Sequence, residues 1–339
     1  MLITKWSKPM MTGRKYWKEI SLIFGLIILY RDSFFARFFQ DDFILKDIAL
    51  TRGLLVPIAN FPYRPIAIQL FYNLSDNPVF LHLVLFFTFL AGLFFVFKIT
   101  KSYTTVLLYA FNISLFPLFY WVATSYFSIL FLEIFLGAYL YLKNRNKQAL
   151  LVFVAALLTN ELAIVFPALL VLLDFLYQKI NLKKIFPFIF LSLCYLPFRL
   201  LISPFPQVDD YKLDFSLKFF ATARWYALRI FNLPEGIRNN PQILVLFALL
   251  LVLVLLNYKR LNLKLLVFSA AWFFVGALPF FFLPNHMSAY YLTISLFGPM
   301  VFLAEIVKKF KPVFLTIYII LSFLGLEFLK TSHWIILKP

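Results

Sequence analysis

A single cysteine, Cys194, stands in 339 residues, so no intramolecular disulfide can form. Three histidines, His82, His286 and His333, lie far apart without ligand spacing, which argues against a zinc site built by the protein. Charged residues make up 14% of the chain, against about 25% in soluble domains. That deficit excludes a soluble domain. There is no fixed-period repeat, no low-complexity tract and no glycine-rich phosphate loop. Acidic residues are scarce, 15 against 32 Lys and Arg, for a net charge of +17. The basic residues fall in short clusters between apolar runs, as topology signals do, so nucleic acid is rejected as a partner.

What remains is apolar: 63% hydrophobic residues, with 46 Phe. The chain reads as an all-α polytopic membrane protein, one domain over 1–339. About eleven spans are expected: Tyr16–Phe35, Pro78–Lys98, Tyr103–Trp121, Thr124–Leu142, Gln148–Leu158, Ala163–Tyr177, Lys184–Ile202, Pro241–Tyr258, Lys264–Leu283, Ala289–Val307 and Pro312–Phe328. The basic N-terminus leads into the first span without a small-residue cleavage site, which predicts an uncleaved signal anchor with its N-terminus cytoplasmic. The short connections on that side then hold Lys98/Lys101, Lys143/Arg145/Lys147, Lys179/Lys183/Lys184, Lys259/Arg260/Lys264 and Lys308/Lys309/Lys311. All are basic, as the positive-inside rule requires. The expected location is the inner or plasma membrane of the cell.

Gln148–Tyr177 decides the topology. As one helix it would run about 45 Å, too long for a simple span. It would also set Glu161 near mid-bilayer, at a cost of about 2.5–3.5 kcal/mol. Two short helices meeting near Thr159-Asn160-Glu161 place Glu161 on the outer face. Two longer outer segments, 36–77 and 203–240, each carry an amphipathic stretch suited to an interfacial helix, at 42–50 and 217–229.

Asp41–Asp42 directly follows the first span. Carboxylates at an outer face can move protons, although an N-cap of the interfacial helix is the simpler role. Adjacent residues on a helix face differently, so one carboxylate can cap while the other points into a cleft. Asp209–Asp210 is a second such pair. Arg64, before Pro65, can bind a phosphate with its planar fork or sit among bulk headgroups. Glu161 is a candidate by its position between apolar helices, or else a carboxylate at a helix end. His286, Tyr290 and Tyr291 can hold a phosphate or a sugar hydroxyl, or serve as an aromatic belt. Glu133 is expected to hydrogen-bond within the bundle, and Asp174 to lie near the cytoplasmic end.

In their order along the chain, these pieces resemble the GT-C superfamily of membrane glycosyltransferases, most nearly the protein O-mannosyltransferase-like branch and its small bacterial relatives. The likeness rests on Phe39-Gln40-Asp41-Asp42-Phe43, Tyr63-Arg64-Pro65, Phe80-Leu81-His82-Leu83, Thr159-Asn160-Glu161-Leu162-Ala163 with Pro167, Trp225-Tyr226 with Leu233-Pro234-Glu235-Gly236, and Leu278-Pro279 with His286 and Tyr290-Tyr291-Leu292. It departs at Asn160, where the family has Lys, and at Leu85, where Asn is usual. The family's His-Pro…Glu element is reduced to Phe116-Pro117 and Trp121.

The resemblance implies an inverting transferase. It would take a sugar from a polyprenyl-phosphate donor at the outer leaflet and pass it to a hydroxyl on a protein, lipid or glycan. Asp41 is the preferred general base and Asp42 the alternative. Arg64, Arg224, Arg229 and His286 are candidates for the donor phosphate, with Tyr290 and Tyr291 beside them. Glu161 would orient the acceptor or a basic partner. No cofactor is called for, and a divalent metal is left open. The competing readings are a lipid or glycan flippase without chemistry, an envelope polysaccharide polymerase or ligase, and an inactive structural subunit.

Overall fold

A computed structural model describes residues 17–53, 63–202, 211–237, 240–257 and 261–337. Asp209–Asp210, the N-terminal Lys5, Lys8, Arg14 and Lys15, and Lys259/Arg260 lie outside them. Among the described residues every regular element is helical. The α-helices are α1 (Trp17–Tyr30), α2 (Asp41–Thr51), α3 (Pro78–Thr100), α4 (Tyr103–Ala110), α5 (Pro117–Tyr120), α6 (Ser125–Leu142), α7 (Asn146–Thr159), α8 (Phe166–Tyr177), α9 (Leu182–Ile202), α10 (Lys218–Arg229), α11 (Pro241–Leu255), α12 (Leu263–Phe281), α13 (Phe297–Ile306), α14 (Lys311–Ser332) and α15 (Trp334–Leu337).

Many helix starts follow from local chemistry. Asn77 accepts from the Val79 amide ahead of Pro78, Ser102 from Thr105, Asn240 from Ile243 ahead of Pro241, and Asn262 from Leu265. Each cap satisfies an amide that the first helical turn leaves without a partner, and proline at the first position loses nothing. α3 stops where Lys101 takes a left-handed conformation, φ 54°.

Among the described residues, five helices are long and apolar enough to cross a membrane, or six if the bent pair Tyr103–Ala110 and Ile113–Tyr120 is one span. The other stretches expected as spans form shorter or interrupted helices that do not meet that length. The segment 103–121 bends by 55° where Asn112 caps a new turn. The segment 289–307 opens as a 3-10 turn, Ala289–Thr293, before α13 begins. α7 and α8 separate at Asn160, as expected. Its backbone is extended and its side chain accepts from the Leu162 amide. The two amphipathic stretches form α2 and α10.

The core is aromatic. Phe89 stacks on Phe131 at 5.1 Å, Phe131 meets Tyr109 and Phe135, and Phe297 joins Phe135 to Trp272. Where apolar solvent removes the hydrophobic drive between helices, close packing must hold them together. Glycine permits it. A Cβ on Gly92 of α3 would stand 2.3 Å from Phe131 of α6, and one on Gly298 of α13 would stand 2.9 Å from the Ser269 carbonyl of α12.

The bundle has two unlike ends. Lys101 lies within electrostatic reach of both Lys98 and Lys143. Lys184 Nζ donates to the Tyr141 carbonyl at 2.7 Å and to Asn144, and Lys264 Nζ to the Leu176 carbonyl. Asp174 sits at this basic end, buried, accepting from the Tyr141 hydroxyl at 2.8 Å. Glu133 accepts from Thr159 Oγ1 at 3.0 Å, the expected bond inside the bundle. Asp41, Arg64, Glu161 and Tyr291 occupy the opposite end. They lie beside the N-terminus of α6, whose 18 residues put about 27 Å between the ends.

Candidate functional site

The turn before α2 sets both aspartates. Gln40 takes φ 49°, ψ −119°, a left-handed conformation that a side chain makes costly. The helix then starts at Asp41. Neither aspartate caps the helix, whose N-cap position is Gln40 without a side-chain bond; Asp42 instead reaches back, its Oδ2 accepting from the Phe39 amide at 3.1 Å and its Oδ1 from the Tyr72 hydroxyl at 2.9 Å. Asp42 is fully buried. Burial pushes its carboxyl up to about 7, against the pull of those donors.

Folded Asp42 therefore binds its proton more tightly than the unfolded residue, whose ordinary value is 3.8. Its contribution to stability is full below that value and is lost as pH rises through about 7. Thermal melts of the purified protein are expected to shift downward between pH 5 and pH 8, and Asp42→Asn to flatten that slope. An unchanged slope in Asp42→Asn would place the titration elsewhere.

Asp41 is exposed as a residue. Burial of its carboxyl by the surrounding protein raises its pKa, while nearby His286 pulls the other way. His286 stands beside Tyr211, ring centroids 4.3 Å apart, and 5.9 Å from Tyr291. Tyr291 is stacked on Phe280 at 3.9 Å and lies 4.6 Å from Tyr290. Tyr126, at the start of α6, is within electrostatic reach of Arg64, Glu161 and Asp41 together.

Arg64 does not lie free among headgroups. Its Nε and Nη2 donate to the two carboxylate oxygens of Glu161 at 2.9 and 2.7 Å, and its guanidinium lies 4.1 Å over the Tyr126 ring. Arg64 lies within the first outer segment, just ahead of the π-helical turn Ile66–Leu70, and Glu161 follows the break at the end of α7. Burial alone would raise the Glu161 pKa, but the Arg64 charge and hydrogen bonds hold it down at about 2. Arg64 in turn is kept charged by Glu161 in spite of its burial. Asp41, Arg64, Glu161, His286, Tyr290 and Tyr291 thus converge.

Arg224 and Arg229 stand apart from that pair. Arg224 is exposed on α10. Arg229 is buried, stacked on Trp225 at 3.8 Å, with Nη1 donating to the Trp225 carbonyl. Burial lowers its guanidinium to about 10 against the pull of Glu235.

Three side chains were not singled out from sequence. Glu235 pairs with His333 at 2.9 Å and accepts from the Ala289 amide at 2.6 Å. Trp334, next to His333, packs on Trp121 at 5.2 Å, which in turn packs on Tyr290. These residues brace the turn that carries Tyr290 and Tyr291. Arg199, near the end of α9, is buried and within electrostatic reach of Glu161. Its place inside an apolar run hid it, although one arginine in such a run is itself a signal.

The apolar groove between α1, α4 and α14, lined by Trp17, Leu22, Gly25, Tyr103 and Phe323, lies at the basic end, away from these groups. Among the described residues no three His, Cys, Asp or Glu side chains are grouped to hold a metal. Compared with family models, curated proteins and solved structures, the chain matches none significantly.

Proposed function

We propose that this protein is a membrane glycosyltransferase of GT-C type, with about eleven spans counting the short and broken helices. It moves a sugar from a polyprenyl-phosphate donor to an acceptor hydroxyl on the extracytoplasmic side. The observation that carries the reading is the meeting of Asp41 with His286, Tyr291 and the Arg64–Glu161 pair at the end away from the lysine-rich connections. Transporters hold their ionisable residues near the bilayer midplane, whereas these groups gather at one end of the bundle.

Asp41 is the general base in this reading. It takes the proton of the acceptor hydroxyl as that oxygen bonds to the anomeric carbon. The bond from that carbon to the phosphate oxygen breaks, and its electron pair leaves with polyprenyl phosphate. Displacement from the opposite face inverts the anomeric centre. Asp42, occupied by Phe39 and Tyr72, holds the turn that presents Asp41. The Arg64–Glu161 pair and Tyr126 form a fixed wall beside it.

The test combines sidedness with chemistry. Single cysteines at Ser75 and Asn144, in a Cys194→Ser background, are expected to react with an impermeant thiol reagent from opposite sides, with Ser75→Cys labelled from outside. Purified protein in liposomes is expected to release polyprenyl phosphate from at least one of a panel of polyprenyl-phosphate-linked sugars when given a hydroxyl acceptor. Cytoplasmic labelling of Ser75→Cys, or no turnover across the panel, would sink the reading.

A further inference from the structure

Arg199 lacks a role in the catalytic step as drawn. It is the only charged residue in the C-terminal half of α9, where Leu196, Phe198, Leu200 and Leu201 are all exposed and Tyr195 is buried. Arg199 turns inward and is 6% exposed. Tyr195, one turn earlier, is within electrostatic reach of Arg199, Arg64 and Glu161, and Phe198 packs edge-on against Tyr63 at 6.2 Å. The end of α9 is thereby laid against the Tyr63–Arg64–Glu161 wall.

Its Nε makes no hydrogen bond among the described residues. Glu161 is the carboxylate within its electrostatic reach, and both oxygens of Glu161 are already bonded to Arg64. Two guanidiniums then face one carboxylate, leaving a single positive charge in excess. A buried guanidinium without a full complement of acceptors is costly, and an anion entering the site removes that cost. The other arginines expected at a phosphate are placed differently. Arg64 is occupied by Glu161, Arg224 is exposed, and Arg229 stacks on Trp225 beside Glu235 rather than Glu161.

The outward face of α9 says which anion. Of the five spanning helices this one is the most peripheral, with 28% of its apolar window buried inside the protein. Hydrocarbon therefore lies one helix away from Arg199, so a phosphate held there can carry a long apolar tail that leaves past the edge of α9.

We propose that Arg199 binds the phosphate of the lipid-linked substrate and of the lipid phosphate it leaves behind, with the tail passing the edge of α9 into the hydrocarbon. This rests on the transferase reading and assigns its leaving-group site. A planar guanidinium meets two phosphate oxygens at once and meets them most strongly as the departing group gains charge.

The experiment uses the full chain in nanodiscs as wild type, R199K and R199Q, with each variant's melting temperature recorded. Binding is measured for polyprenyl phosphate, phosphatidylglycerol and inorganic phosphate separately, alongside donor KM and kcat. R199Q is expected to weaken polyprenyl phosphate tenfold or more and to raise donor KM similarly. R199K keeps the charge but loses the fork, and is expected to weaken it about threefold. Unchanged affinity in R199K together with a folded R199Q of wild-type affinity overturns the assignment, and unchanged affinity in R199K alone does so should R199Q fail to fold. Equal binding of phosphatidylglycerol would make the site one for bulk headgroups, and equal binding of inorganic phosphate would remove the tail from it; either overturns the proposal. The two readings fail separately. Wild-type transfer with an indifferent R199Q sinks only the Arg199 assignment, whereas Arg199-dependent binding without transfer from any donor sinks only the transferase.

Discussion

Asp41→Asn is expected to lower kcat for sugar transfer by about two to four orders of magnitude, the range of a positioned general base, with donor KM changed little. Asparagine keeps the size of the side chain and its place at the start of α2, so the loss reports chemistry rather than folding. Asp41→Glu, which restores a carboxylate on a longer arm, is expected to recover part of the rate. Asp42→Asn should behave differently. Asp42 is buried and accepts two hydrogen bonds that position the Phe39–Asp41 turn. Its substitution acts through the turn, lowering melting temperature and rate together, and Tyr72→Phe is expected to reproduce part of that effect. Rates measured with a defined donor in liposomes decide the matter. Wild-type turnover in Asp41→Asn with a collapse in Asp42→Asn would exchange the two roles.

Much of the architecture was open to reading because its causes are local. Asn and Ser caps, prolines at first helical positions and charge at the ends of apolar runs act within a few residues. The break at Asn160 was legible for a related reason: a mid-bilayer Glu161 is too costly to accept. Span continuity was not legible. Hydropathy does not distinguish a straight helix from one that bends at Asn112, nor one that opens as a 3-10 turn at Ala289–Thr293. Sequence marked Arg64 and Glu161 separately, and the resemblance gave Glu161 the acceptor or a basic partner to orient. Only packing shows that the partner is Arg64, 97 positions away. The same distance in sequence hid Glu235–His333, since histidines without ligand spacing carry no sign of a carboxylate 98 residues off. Arg199 was hidden by helix rotation. Whether one arginine in a lipid-facing helix points outward or inward depends on which face of α9 meets Tyr63 and Glu161.

Breaking the Arg64–Glu161 pair is expected to cost stability and activity by different routes, and the two can be separated. The pair is bidentate, with 13% of the Arg64 side chain and 33% of Glu161 exposed. Arg64→Met leaves a carboxylate that solvent reaches only in part, and Glu161→Gln leaves a guanidinium in the same position. Removing one partner of a fully buried pair costs about 3–5 kcal/mol, and the opening at Glu161 moves the expected loss for either variant to about 2–3 kcal/mol. Arg64→Met/Glu161→Leu takes away both charges, and buried pairs replaced by apolar residues often lose little. The double variant is therefore expected to melt within a few degrees of wild type. Its transfer rate should nonetheless stay at least a hundredfold down, because the wall beside Asp41 has lost its polar groups and Arg199 has lost its carboxylate neighbour. pH checks the assignment. Glu161 is held at about 2, below its ordinary 4.5, so the pair's stabilisation is present above 4.5 and lost only as pH falls through 2. Between pH 5 and pH 8 the melting difference between wild type and Glu161→Gln should stay constant, while the Asp42 contribution declines across the same interval. A difference that shrinks from pH 8 to pH 5 would mean that Glu161 titrates in that range and is not held by Arg64. A double variant with full activity would show the pair to be scaffolding alone, and Asp41 would have to work without it.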